Sequence, residues 1–172
     1  MSHAAQAGIP TLYNGVRFRS RVEAKWAAMF ELLSWPAVYE PLDLHYYIPD
    51  FVLGFYAPIA VEVKYIFEQD DFDALEAERA KAERSGWPHE ILFVGAKVER
   101  DRIGWLRDAY GVWDVAFPFR CIDCGHVSFA HQSGSWRCRV TGCYLGKRHI
   151  DQAWNIENDF RAASNRVQWR AA

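Results

Sequence analysis

The sequence predicts a mixed α/β fold, a central sheet flanked by helices, with a small metal-binding module behind it. Three observations carry that prediction. Apolar residues recur every three to four positions in residues 20–33 and again in 70–85, the period of amphipathic helices. Short apolar runs at 47–53, 59–65 and 89–96 fall between and after them and read as strands. Four cysteines then come in two short-spaced pairs, Cys121-x2-Cys124 and Cys138-x4-Cys143. With 172 residues, 51% of them hydrophobic, there is material for one moderate domain, or one domain with an appendage.

The N-terminal MSHAAQAGIPTLYNG lacks the basic start and apolar run of a signal peptide. No later segment approaches the roughly 18 to 20 uninterrupted apolar residues of a membrane span. The expected setting is therefore cytoplasmic and reducing, with no membrane partner, where cysteines ligate metal rather than pair as disulfides. The net charge of -2 hides an asymmetry: residues 1–117 hold 12 Lys/Arg against 18 Asp/Glu, and residues 118–172 hold 8 against 4. Such a chain offers an acidic, cation-seeking region and a basic region suited to phosphates.

The first helix starts at Ser20-Arg21-Val22-Glu23, a capping-box pattern, places Val22, Trp26, Met29 or Phe30, and Leu33 on one face, and stops before Pro36. Glu23 has two readings, one reaching back to cap Ser20 and one pointing toward the strands that follow. A short strand near Val38 to Glu40 and a turn at Pro41 lead to YYIPDFVLGFYAPIAVEVKY, residues 46–65, which reads as a hairpin turning at Gly54 and Pro58. Its apolar strands, starting at about Tyr47 and at Ile59, carry Asp50 in the first and Glu62 and Lys64 in the second. Alternation sets Ala60, Glu62 and Lys64 on one face, with Glu62 and Lys64 about 6.5 to 7 Å apart at Cα. Two carboxylates in partly buried strands need a cation, and oxygen ligands select a hard one, Mg²⁺ or Mn²⁺. The plain alternative is a salt bridge in which Lys64 neutralises Glu62 while Asp50 caps a turn.

Pro49-Asp50 followed by Glu62-Val63-Lys64 resembles the signature of the PD-(D/E)XK nuclease superfamily, and FRSRVEAKWAAMF resembles the preceding helix that carries an acidic residue there, with Glu23 in the matching position. The resemblance covers about residues 15–97. It implies a restriction-endonuclease-like core in the order α-β-β-β-α-β and Mg²⁺-dependent hydrolysis of DNA phosphodiesters. It also implies Asp50, Glu62 and the Val63 carbonyl as Mg²⁺ ligands, Lys64 orienting or helping to deprotonate the attacking water, and Glu23 as a further site residue. Arg19, Arg21 or Lys25 would hold phosphate oxygens near the helix start.

The remaining elements follow in order. Asp70 to Ser85 reads as one helix with Phe72, Leu75 and Ala82 inward and Gly86 closing it. Residues 89–96 read as a buried strand, parallel to the second hairpin strand because a helix connects them. Glu99 to Tyr110 suggests a helix with Ile103, Leu106 and Tyr110 inward, and VWDVAFPF a strand. Cys121, Cys124, Cys138 and Cys143, with Gly125 and Gly142 in the turns, present four thiolates as a zinc ribbon or treble clef does, a structural Zn²⁺ site; His126, His131 or His149 could replace one of them. Arg120, Arg137, Arg139, Lys147 and Arg148, interleaved with Trp136 and Tyr144, suit nucleic acid, against the alternative of an ordinary solvated surface. Ala153, Ile156, Phe160, Ala163 and Val167 define a last helix that docks on this chain or on a second copy, as a homodimer.

The expected division is a nuclease core at 1–117, a four-cysteine zinc-binding module at 118–150 that helps hold DNA, and a C-terminal helix at 151–172. The expected activity is that of a metal-dependent deoxyribonuclease, an endonuclease. A non-catalytic nucleic-acid-binding protein retaining the same fold is the alternative.

Overall fold

A computed structural model of the chain describes residues 8–44, 46–134, 136–143 and 154–167. Strands β1 (Thr11–Tyr13) and β2 (Val16–Phe18) form a separate hairpin whose two-residue turn, Asn14-Gly15, takes the positive φ values of 46° and 77°. An Asn-Gly pair enters that conformation with little strain, and the same two letters announce the hairpin in the sequence. Helix α1 (Arg21–Leu32) is capped by Ser20, whose hydroxyl accepts the Glu23 N–H at 3.1 Å. It buries Val22, Trp26, Met29 and Phe30, and the Trp26 indole donates to the Gly95 carbonyl at 2.8 Å.

Strands β3 (Ala37–Tyr39), β4 (Phe51–Leu53) and β5 (Ile59–Val63) pair antiparallel in succession. Helices α2 (Gln69–Asp73) and α3 (Glu76–Arg84) then cross over to β6 (Ile91–Glu99), which lies parallel to β5 as the helical connection requires. Strands β7 (Arg102–Arg107), β8 (Trp113–Arg120) and β9 (Val127–His131) complete an antiparallel meander, so the seven strands stand in the sheet in sequence order. The α/β class, the mixed sheet and the order helix, three strands, helical crossover, strand are as expected. Among the described residues, no helix is long and apolar enough to cross a membrane.

The strand pleat sorts the core. Ile59, Val61, Val63, Leu92 and Val94 face α1 and helix α4 (Ile156–Arg166), whereas Ala60, Ile91 and Phe93 face α2 and α3 through Phe72 and Ala82. Helix α4 uses the predicted apolar positions Ile156, Phe160, Ala163 and Val167 to dock on this chain, with Phe160 5.0 Å from Trp26 between ring centroids. Ala153 lies outside the described residues.

Four expectations need correction. The helix expected over Glu99 to Tyr110 is instead strand β7, joined to β6 by the two-residue turn Arg100-Asp101, with Glu99 and Arg102 paired across it at 2.8 Å. Both sheet faces are covered there, so Ile103 to Leu106 is uniformly apolar, and Gly104 is required because a Cβ would lie 2.1 Å from the Phe93 carbonyl oxygen. Tyr110, expected inward, is 93% exposed. The helix expected over Asp70 to Ser85 breaks at Ala74-Leu75, which lets Phe72 and Leu75 both reach the sheet; Gly86 does follow it at a φ of 75°. The first hairpin strand begins at Phe51 rather than near Tyr47, which is held in a bridge to Leu44. Finally, the expected boundary between 117 and 118 falls inside β8, and β9 belongs to the same sheet. The first cysteine pair therefore sits in the connection between two core strands. Pro118 is tolerated in β8 because it lies beyond the last β7–β8 pair, Gly104–Ala116, and its carbonyl accepts the Trp154 N–H at 3.1 Å.

Candidate functional site

The β4–β5 ladder pairs Phe51 with Val61, so one further step of the same register sets Asp50 opposite Glu62. The ladder does not take the step after that, because the residue facing Val63 would be Pro49, which has no N–H. Asp50 substitutes its own side chain: Oδ2 accepts the Val63 N–H at 2.7 Å, while the Val63 carbonyl faces the proline. Pro49-Asp50 thus ends the hairpin ladder at the cleft that Asp50, Glu62, Val63 and Lys64 line. Asp50 is buried, and burial together with the nearby Glu62 charge pushes its carboxyl up from the ordinary 3.8 to about 7.

Glu23 joins this cluster from the first turn of α1. Its Oε2 accepts the Arg19 N–H at 3.1 Å and the Tyr39 hydroxyl at 2.7 Å. Both readings of Glu23 therefore hold in part: it caps the chain one residue ahead of Ser20, and its buried carboxylate lines the cleft. Arg19 meets the carboxylates directly, with Nη2 2.5 Å from Asp50 Oδ1 and 2.9 Å from Glu40 Oε1. Its guanidinium bridges Asp50 and Glu40 in this structure. Arg21 and Lys25 do not line the cleft. Neither makes an ion pair among the described residues, and burial, with the Arg21 charge beside it, lowers the Lys25 ammonium below its ordinary value.

On the opposite wall Lys64 Nζ pairs with Glu62 Oε1 at 2.7 Å. Burial lowers the Lys64 ammonium, but the Glu62 and Asp50 charges outweigh it and leave the group above its ordinary value, so it is a cation and a donor at neutral pH. The other oxygen of Glu62, Oε2, is buried with no hydrogen-bond partner of good geometry, and the buried Tyr47 hydroxyl lies beside the same carboxylate. Burial and the Glu62 charge raise the Tyr47 phenol further above its usual range, which keeps it protonated. These groups face a cleft of about 850 Å³, to which Asp43 and, from α3, Glu78 and Lys81 also contribute. Five carboxylates against three cations line it, an imbalance that a divalent cation would neutralise. A buried carboxylate oxygen without a partner is costly, and the donor set around it is oxygen throughout, so the residues fit a hard divalent ion. Tyr39, Glu40, Tyr47 and the two α3 residues were not marked by the sequence; Tyr47, three residues ahead of Asp50, had only that proximity to signal it.

At the other end of the chain's chemistry, the sulfurs of Cys121, Cys124 and Cys143 lie within 4.8 Å of one another, a cluster that could hold a metal such as zinc. Cys138 Sγ lies 3.8 Å from Cys124 Sγ, and two thiolates sharing a tetrahedral zinc stand about 3.8 Å apart. The two knuckles share one backbone design. The Cys121 carbonyl accepts the Gly125 N–H at 2.8 Å, as the Cys138 carbonyl accepts the Gly142 N–H at 2.9 Å, and both glycines have positive φ. In the second knuckle Thr141 takes the place that Cys124 has in the first, and the thiol is moved on to Cys143. The Thr141 hydroxyl lies 3.0 Å from Cys143 Sγ. Burial pushes the Cys121 thiol up to about 12; at Cys124 burial is outweighed by hydrogen bonds from Thr141 and His126, which bring it down to about 6.

The basic residues of this region divide. Arg139 is no surface cation: its guanidinium is buried, bonded to both oxygens of Glu90 at 2.6 and 2.7 Å and to the Phe129 carbonyl at 2.7 Å. Its expected contact with phosphate is thereby corrected, since the charge is already engaged inside the fold. Arg137 is exposed, lying 4.4 Å over the Tyr56 ring, and Arg120 lies 4.8 Å over Trp154. His131 is buried in β9 with Nε2 3.1 Å from the Val112 carbonyl. Tyr144, Lys147, Arg148 and His149 lie outside the described residues. Comparison with known proteins finds no family model, no curated protein and no solved structure that matches the chain, so the reading of the cleft rests on its own residues.

Proposed function

We propose that the chain is a divalent-metal-dependent deoxyribonuclease of the PD-(D/E)XK kind, with the restriction-endonuclease-like core that its element order suggests. The observation that carries this reading is the buried, unpartnered Glu62 Oε2 beside Asp50, on the same wall as the Lys64 ammonium. In this reading Asp50, Glu62 and the Val63 carbonyl hold Mg²⁺ or Mn²⁺, and Glu23 adds its charge from α1. The bound ion would lower the pKa of a coordinated water and offset charge developing on the phosphate. Lys64, being charged, orients the attacking water and donates to phosphate oxygen rather than acting as a base. Arg19 releases Asp50 when the ion binds and turns its partly exposed side chain toward the DNA backbone, beside Arg21 and Lys25. Cys121, Cys124, Cys138 and Cys143 together hold a structural zinc, and exposed Arg120 and Arg137 extend the DNA-facing surface.

The Arg19–Asp50 ion pair favours a second reading, a DNA-binding protein whose carboxylates are balanced by its own cations. One assay separates the two. Linear, supercoiled, branched and single-stranded DNA are incubated with Mg²⁺, Mn²⁺ or EDTA, using the parent chain, Asp50→Ala and Lys64→Ala. The nuclease predicts metal-dependent cleavage that falls by roughly 100-fold or more in each variant, with far-UV circular dichroism unchanged. Metal-independent binding without cleavage supports the binder, and undiminished cleavage by both variants removes these residues from the chemistry.

A further inference from the structure

Four non-glycine residues among those described take a positive φ, and Tyr46, at 69°, is the aromatic among them. Leu44 and Tyr47 exchange backbone hydrogen bonds of 2.8 and 2.7 Å and so close the tight turn in which it sits, at a place where Gly or Asn would be far less strained. Burial does not offset that strain, because Tyr46 is 88% exposed. Backbone strain that packing does not repay collects at functional sites. The residues that follow show what this one faces. Tyr47 and Pro49 are buried, whereas Tyr46, Ile48 and Asp50 line the cleft, so alternate residues carry an exposed aromatic, an exposed aliphatic and the buried carboxylate.

We infer that Tyr46 and Ile48 form a stacking lip for a nucleobase that has left the duplex stack, next to the phosphate held at Asp50, so that the substrate is DNA with an unpaired segment at the cut. This rests on the nuclease reading for the identity of that phosphate. Two to four residues span at most about 7 to 14 Å of extended chain, which sets the lip within one or two nucleotides of Asp50. An apolar lip beside a cleft of five carboxylates and three cations suits few ligands. A nucleotide strand does alternate charge with flat apolar surface at this spacing: the phosphate meets the ion and Lys64, and the base meets the ring. In paired DNA each base is covered on both faces by its neighbours, so an unpaired base is the one that offers a face for stacking. Tyr46 transfers no proton and touches no reacting atom. It is a positioning residue that fixes the register of the strand in the cleft.

The test uses the full chain with Ca²⁺ in place of Mg²⁺, a hard cation that takes oxygen ligands in a looser geometry, and reads the fluorescence anisotropy of a labelled oligothymidine and of a fully paired duplex of equal length. Tyr46→Gly removes the ring and relieves the backbone, so its melting temperature should equal or exceed the parent's. Its oligothymidine binding should weaken by roughly 10-fold, with duplex binding unaltered, and Tyr46→Phe should bind as the parent does. Equal oligothymidine binding by the parent and Tyr46→Gly overturns the inference. An equal loss on both DNAs overturns it too, since that marks a defect of fold or charge rather than of stacking, and so does a parent that binds no oligothymidine. The nuclease reading fails separately, if the parent cleaves no form of DNA with any metal; oligothymidine affinity then still decides for or against the lip.

Discussion

The β4–β5 hairpin has two ends, and they treat buried polar groups in opposite ways. At its closed end, residues 54–58 lie against the second cysteine knuckle. The Tyr56 N–H is taken by the carbonyls of Arg139 and Val140 at 3.1 and 3.2 Å, Arg137 covers the ring, and Gly142 has no Cβ because one would stand 2.6 Å from that ring. Arg139 is saturated by Glu90 and Phe129. At the open end, the Tyr47 hydroxyl has only the Glu62 carboxylate beside it, and Asp50 relies on an arginine whose side chain is 58% exposed, against 7% for Arg139. The closed end is built for stability. The open end gives stability up in the manner of a site awaiting a ligand.

The sharpest way to break this contrast is to cut one arginine at each end. Arg139→Ala leaves Glu90 without its partner in a largely buried setting and should cost about 3 kcal/mol, read as a lower urea midpoint. Its failure to destabilise would mean that the closed end is no anchor. Next in size is a dependence on pH. Without added divalent cation, folded Asp50 keeps a proton up to about 7 that the unfolded chain releases near 3.8. The folded state therefore binds more protons in that window, so stability falls as pH rises through it and the loss is complete above it. Asp50→Asn should flatten this slope in urea titrations from pH 4 to 8, and Mg²⁺ should restore the parent's stability at pH 8; a slope identical in parent and variant would place the strain elsewhere. The smallest effect is that of Arg19→Ala, about 1 kcal/mol or less in stability, because the guanidinium is screened by solvent and buried Asp50 can take up a proton in its place. Because the guanidinium competes for Asp50, the same change should tighten Mn²⁺ binding in calorimetry. Weaker binding would show that Arg19 supports the site rather than plugging it.

What could be read in advance follows from what pattern encodes. Asp50, Glu62 and Lys64 stood out because charges interrupt period-two apolar strands, and Cys121 to Cys143 because thiols at knuckle spacing have few other uses. Strand β7 was misread because Ile103, Leu106 and Tyr110 happen to fall at helical spacing, although Gly104 in their midst favoured a close sheet contact. Arg139 looked like its neighbours on either side; only the folded chain brings Glu90, forty-nine residues away, to its guanidinium. Tyr47 was hidden for the same reason, since an aromatic beside another aromatic reads as packing until its hydroxyl is found beside Glu62.

Strands β5 and β6 run parallel, so their pairing waits on closure of the long stretch 64–90, whereas β4 and β5 are joined by a short turn. Hairpins form in about 1 to 10 μs, and pairings across long crossovers come later because more chain entropy is lost before contacts form. Asp50 and Glu62 can therefore meet while still in water, where their repulsion is screened. Dehydration comes with the docking of α2 and α3, which places the electrostatic cost of this cleft late in folding and on the one step that only the crossover can complete.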